Sequence, residues 1–231
     1  MTVPDRVRAV ENAVTAACDR ADRARATVTL VAVSKTHPPA SVIAAARAGI
    51  TDFGENRVQE ASEKVPEVTA AVPGLRWHLV GHLQTNKAKR AVELFTVIHS
   101  LDSARLAEEL EARAEAAGKA VKVLIEVNTS GEESKFGVQP GKLPALALAV
   151  MGFDHLALTG LMTIGPGWAV TDPEASRPCF AHLRRLRDNA QDRLGRPLPD
   201  LSMGMSSDFA VGIDEGATII RVGTALFGAR E

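Results

Sequence analysis

Eight short runs of β-branched and apolar residues recur along the chain, each parted from the next by a segment with helical character. They are "TVTLVAVS" (27–34), "ITDFGE" (50–55), "LRWHLVG" (75–81), "TVIHSL" (96–101), "VKVLIEVN" (121–128), "LALTGLMTI" (156–164), "DLSMGM" (200–205) and "TIIRVG" (218–223). Such alternation is the signature of βαβ units around a parallel sheet, whose strands are buried on both faces and so read as continuous apolar runs. Eight of them within 231 residues leave room for connecting helices and little else. The expectation is a single (β/α)8 TIM barrel, one domain over residues 1–231, with an extra N-terminal helix that sets Val7, Val10 and Val14 on one face. A doubly wound open sheet is the alternative arrangement of the same elements.

Helix signals punctuate the connections. Asp102-Ser103 precedes a segment in which Leu106 and Leu110 share a face, and Gly118 supplies a left-handed stop. Asp172-Pro173 reads as an N-cap and first helical residue, opening a helix with Phe180, Leu183, Leu186 and Ala190 on one face and Gly195 at its end.

The formal net charge of −1 gives no whole-chain field that would draw the protein to nucleic acid or an anionic membrane. Cys18 and Cys179 have no metal or redox spacing, which fits a reducing compartment. The N-terminus lacks the apolar core of a signal peptide, and no apolar run is long enough to span a bilayer. These features read as a cytoplasmic protein.

Barrels of this kind place their chemistry at the C-terminal ends of the strands. There the first run ends in Ser34-Lys35-Thr36, the second in Glu55-Asn56-Arg57, the third holds His78 and leads to His82, the seventh ends in "GMSSD", and the eighth holds Arg221 and ends in Gly223-Thr224. Ser206 and Ser207 read as opening a helix, so hydroxyls and free N–H groups would converge there. Gly223-Thr224 would offer a second set, and loops after strands seven and eight are the usual phosphate site of this barrel. Either loop alone also reads as an ordinary cap or turn. A lysine closing a strand commonly snorkels to solvent; beside apolar walls it becomes an amine nucleophile able to form a Schiff base with an aldehyde. Lys35 and a phosphate cradle at one barrel mouth point to a small phosphorylated aldehyde: pyridoxal 5′-phosphate (PLP) first, a phosphosugar second.

"VAVSKTHP", "FGENRVQE", "WHLVGHLQTNK", "EVNTSGEESKFG", "GLMTIG", "LSMGMSSDF" and "RVGTALFGAR" together resemble the pyridoxal phosphate homeostasis proteins, a group also described as alanine-racemase-N-terminal-domain-like. That resemblance implies a monomeric or weakly associating single-domain barrel that holds PLP as an internal aldimine and buffers it or delivers it to apo-enzymes, without established turnover. Carried over by motif, Lys35 would be the aldimine lysine, Ser206, Ser207, Gly223 and Thr224 would hold the phosphate, Arg221 would face the pyridine nitrogen, and Asn56 and His78 would line the ring.

Two features limit the chemistry. An arginine cannot accept the pyridine proton, so a ring facing Arg221 is a weaker electron sink than one paired with a carboxylate. The racemases that share this barrel add a tyrosine base from a second domain, and this chain contains no tyrosine. The expectation is a PLP-binding carrier rather than an enzyme, with a PLP-dependent amino-acid racemase or decarboxylase as the alternative. His78 and His82 lie four apart but on a strand and its following loop, which argues against a metal pair. "GVQPGKL" departs from a Walker A loop and reads as a turn into a helix, "NKAKR" (86–90) as a solvated helix start, and "GMSSD" is not a nucleophile elbow.

Overall fold

The computed structural model describes residues 1–228; Ala229 and Arg230, which close the last of the quoted motifs, and Glu231 lie outside the described residues. The strands are β1 (Thr29–Val33), β2 (Asp52–Glu55), β3 (Arg76–Leu79), β4 (Val97–Leu101), β5 (Val121–Glu126), β6 (Leu156–Met162), β7 (Asp200–Ser202) and β8 (Ile219–Val222). All pair in parallel in sequence order, and β8 pairs back onto β1 with Val31 opposite Arg221, closing the barrel. The (β/α)8 barrel is therefore the architecture, and the open sheet is excluded. Helices α1 (Val3–Arg20), α2 (Pro39–Arg47), α3 (Val58–Ala71), α4 (Ala88–Leu94), α5 (Ala104–Ala116), α6 (Leu143–Met151), α7 (Arg177–Leu194), α8 (Phe209–Asp214) and α9 (Thr224–Phe227) surround it. No described helix is long and apolar enough to cross a membrane.

Strand periodicity sorts the residues into two layers. Leu30, Ala32, Phe53, Trp77, Leu79, Ile98, Ile125, Leu161 and Val222 face outward into the main core beneath the helices. Val31, Val33, Val80, Val97, Leu124, Met162 and Ile219 face the barrel axis as a separate apolar cluster. Helix faces behave as their spacing predicts: Val7, Val10 and Val14 of α1 and Leu106 and Leu110 of α5 are buried. Gly118 and Gly195 adopt φ of 60° and 63° at the ends of α5 and α7.

Two helix starts differ from the sequence expectation. Pro173–Ser176 forms a 3-10 turn, the Asp172 side chain makes no cap bond, and α7 begins at Arg177. Pro178 explains this, because its missing N–H and its ring interrupt a continuous α-helix arriving from Pro173. α8 begins at Phe209, so Ser206 and Ser207 sit in the turn before it. The "PGK" turn (140–142) runs into α6 as expected.

Candidate functional site

Parity along β1 decides where its lysine goes. Lys35 continues the inward series Val31, Val33 and reaches the mouth of the barrel, whereas Ser34 belongs to the outward series with Glu55 of β2. On the far side of the mouth, Gly204 holds φ 93°, and a Cβ there would lie 2.8 Å from the Phe209 Cα. Only glycine lets the chain fold back so sharply. Asp208 then fastens the turn, accepting the Met205 N–H at 2.6 Å and the Ser176 hydroxyl at 2.6 Å. Ser206 Oγ in turn accepts the Gly223 and Ala225 N–H groups at 3.2 and 3.5 Å.

The result is a cavity of about 730 Å³ at the C-terminal mouth, lined by Lys35, Asn56, Ser206, Ser207, Arg221, Gly223 and Thr224 together with Val33, Val80 and Ile164. Seven of the eight residues expected from sequence thus meet in one space. His78 does not. It lies one inward rung below the mouth, buried in the barrel, with Nε2 3.0 Å from Asp52 Oδ1 and Nδ1 2.9 Å from His99 Nε2. Val80, two residues on and on the same face, takes the wall position instead. His82 also points elsewhere, pairing with Asp102 and stacking on Phe136 at 3.9 Å. No group of three or more metal-ligating side chains occurs among the described residues.

Arg221 is buried and fixed, donating through Nη1 to Ser202 Oγ and through Nη2 to the Thr163 carbonyl at 2.8 Å. Burial pushes the guanidinium down to about 10, against the opposing pull of Glu126 and Asp208. Burial likewise pushes the Glu126 carboxyl up to about 7, although Arg221 draws it down. Sequence reading passed over Glu126 because nothing marks a strand-terminal glutamate as buried.

Behind the lysine lies a second group that sequence reading missed. Lys64 of α3 is buried, and its Nζ donates to the Ser34 carbonyl (2.7 Å), Glu55 Oε1 (2.7 Å) and Glu60 Oε1 (2.8 Å). Ser34 Oγ donates to Glu55 as well, and the Thr36 N–H donates to Glu60. Thr36 itself sits at φ 67°, a left-handed conformation that β-branched residues rarely adopt. The residues on both sides of Lys35 are therefore held by one ion cluster.

At the barrel floor, burial alone would raise the Asp52 carboxyl, but hydrogen bonds from His78, Arg76 and Thr51 outweigh it and hold it well below the usual carboxylate range. A depressed folded value contributes stability above the unfolded value, near 3.8, and loses it as pH falls. Urea titrations are expected to show stability dropping steeply below about pH 4, with a flatter acid limb in Asp52→Asn. An unchanged limb would remove Asp52 from the acid transition.

The donor set suits a phosphorylated aldehyde. Hydroxyls and backbone N–H groups, without a carboxylate among the cavity residues, gather at the Ser206 and Gly223 end, and a Cβ on Gly223 would press on the Val33 carbonyl at 3.2 Å. Asn56 Oδ1 is buried with no hydrogen-bond partner among the described residues, an acceptor for a ligand hydroxyl.

Comparison with known proteins agrees with this construction. The family model for the alanine racemase N-terminal domain matches residues 10–231. The pyridoxal phosphate homeostasis protein of Aquifex aeolicus is 43% identical, with all of both chains covered. That of Pseudomonas aeruginosa is 44% identical over all of this chain and 96% of the relative. Among solved structures, PipY of Synechococcus elongatus PCC7942 with PLP bound superposes with a TM-score of 0.85 at 38% identity, covering 98% of this chain and 100% of that one. The chain belongs to the pyridoxal phosphate homeostasis protein family, built on the alanine racemase N-terminal domain.

Proposed function

We propose that this protein binds PLP reversibly in the mouth cavity and serves to store the cofactor or hand it on. The observation that carries the reading is the meeting, in one cavity, of Lys35 from the end of β1 with the Ser206, Ser207, Gly223 and Thr224 donors after β7 and β8. Lys35 would bond the cofactor aldehyde. The hydroxyls of Ser206, Ser207 and Thr224 would hold the phosphate, with Gly223 giving it close access to the backbone, Arg221 would meet the ring nitrogen, and Asn56 would meet the ring edge. Val33, Val80 and Ile164 would exclude water from the ring faces. When bound, PLP supplies an electrophilic carbon to an amine and a conjugated ring able to take up electrons. Arg221 has no acceptor atom, so it leaves the ring nitrogen unprotonated and that second capacity weak. The absence of tyrosine removes the base used by barrel racemases. Both features favour holding the cofactor over turning over an amino acid, and the relatives carry the name of homeostasis proteins rather than of enzymes.

The acceptors we propose are apo forms of PLP-dependent enzymes, met by a monomeric, single-domain protein in the cytoplasm. Holo-protein mixed with an apo-enzyme is expected to restore activity faster than free PLP at the same concentration. Equal rates would overturn delivery and leave storage. A protein that takes up no PLP in an absorbance titration would overturn the whole reading, and elution at the mass of two chains would overturn the monomer.

A further inference from the structure

Inside the barrel, a column of buried polar side chains joins the floor to the mouth. Arg221 Nη1 donates to Ser202 Oγ. Ser202 Oγ lies 2.9 Å from His99 Nδ1, His99 Nε2 lies 2.9 Å from His78 Nδ1, and His78 Nε2 lies 3.0 Å from Asp52 Oδ1. Every member is almost fully buried, from His99 and Ser202 at 0% exposure to Arg221 at 4%. The floor end reaches solvent through Arg76, which holds Asp52 by two bonds of 2.7 and 2.6 Å and is itself exposed. Barrel interiors of this class are ordinarily filled by branched apolar residues, and here the inward-facing Val31, Val33, Val97, Leu124, Met162 and Ile219 keep to that pattern, while Glu126 of β5 is a further buried polar residue beside Arg221.

The two ends of the column fix its direction. Arg221 carries only N–H donors, and the ionised Asp52 carboxylate carries only acceptors. Between them stand one hydroxyl and two imidazoles, each with one proton to give when the imidazoles are neutral. Four donors then make four bonds in a single order: Arg221 to Ser202, Ser202 to His99, His99 to His78, His78 to Asp52. Burial, with His78 and Arg221 close by, holds the His99 ring neutral. An imidazolium at His78 would reverse the two central bonds and leave the buried Ser202 hydroxyl proton without an acceptor in the column, which a buried site tolerates poorly.

We propose that this column is a one-way hydrogen-bond relay that anchors the Arg221 guanidinium to the barrel floor and holds it as a fixed donor at the ring end of the cofactor cavity, with His99 as its positioning residue. The proposal rests on the reading that the PLP ring lies beside Arg221. Because each proton in the column is already committed toward Asp52, Ser202 can only accept from Arg221. The arginine plane is set by Ser202 and the Thr163 carbonyl together, and its remaining N–H groups are left for the cavity it lines.

Two measurements test this. Nitrogen-15 spectra of the cofactor-free protein are expected to show His78 and His99 each protonated at Nε2 and pyridine-like at Nδ1; an imidazolium or the opposite tautomer at either ring overturns the relay. PLP titrations then compare His99→Leu, which takes away the Ser202 acceptor, with His99→Asn, whose amide oxygen can replace Nδ1. His99→Leu is expected to shift the absorption band of the bound cofactor and weaken binding about tenfold, and His99→Asn to restore most of both. If both variants merely melt earlier, with band and affinity as in the wild type, the column is only structural and the proposal fails. If the wild type itself takes up no PLP, the cofactor reading fails first and this proposal falls with it, a result distinct from unchanged binding in the variants.

Discussion

Borohydride reduction of the wild-type protein with PLP is expected to place the pyridoxyl label on the peptide containing Lys35, and Lys35→Ala is expected to weaken PLP binding on the order of a hundredfold or more. The covalent bond to the aldehyde is the interaction that no other part of the proposed site can replace. Lys35 reaches the mouth because it shares the inward parity of Val31 and Val33, and its neighbours Ser34 and Thr36 are both tied down. The proposed phosphate donors after β7 and β8 remain in the variant, so residual binding should depend on the phosphate, and pyridoxal should bind more weakly still. Peptide mapping with equilibrium dialysis checks both points. A label on another lysine in the wild type, or an unchanged Kd in Lys35→Ala, would reject the assignment.

The largest effect on stability is expected at Lys64. Its ammonium is buried among the Ser34 carbonyl, Glu55 and Glu60, and Glu55 is wholly buried. Removing one partner of such a pair leaves an uncompensated charge, so Lys64→Ala should cost about 3–5 kcal/mol. For a chain of this size that corresponds to a melting temperature roughly 6–20 °C lower. Burial already pushes the Glu55 carboxyl up against the lowering pull of Lys64 and Ser34, and the variant loses the Lys64 part of that pull. A carboxyl raised in the folded state binds its proton more tightly there than in the unfolded chain, so its favourable contribution is present at low pH and lost as pH rises. Lys64→Ala should therefore be less destabilised at pH 5 than at pH 8. Lys64→Met combined with Glu55→Leu should recover much of the loss, because the double change leaves no orphaned charge. Equal melting of Lys64→Ala and wild type would show that the cluster contributes nothing.

Much of this barrel was legible in the sequence because a parallel strand buried on both faces leaves a continuous apolar signature, and all eight runs contain a strand. The mouth was legible for a related reason: a polar residue that follows such a run must lie near a strand end, as Lys35 and Thr224 do. Depth within the barrel was not. His78 and Val80 have the same parity, and only the pairing register, with Gly54 opposite His78, shows which of them reaches the mouth. Contacts across layers were equally hidden. Glu60 and Lys64 are four apart on α3 and read as an ordinary exposed helical pair, and nothing in their spacing reveals that both turn inward onto the end of β1. The column from Asp52 to Arg221 draws one residue each from β2, β3, β4, β7 and β8, and no local pattern can register it.

The β1–β8 ladder also imposes an order of events during synthesis. Lys35 leaves the ribosome with the first strand, whereas the donors around Ser206 and Gly223 belong to the seventh and eighth. For most of its elongation the nascent chain therefore offers an aldehyde a lysine without a phosphate grip. On the proposed assignment, both halves of the site meet only when the last strand docks beside the first, so a chain stalled before β8 would hold PLP far more weakly than the finished barrel.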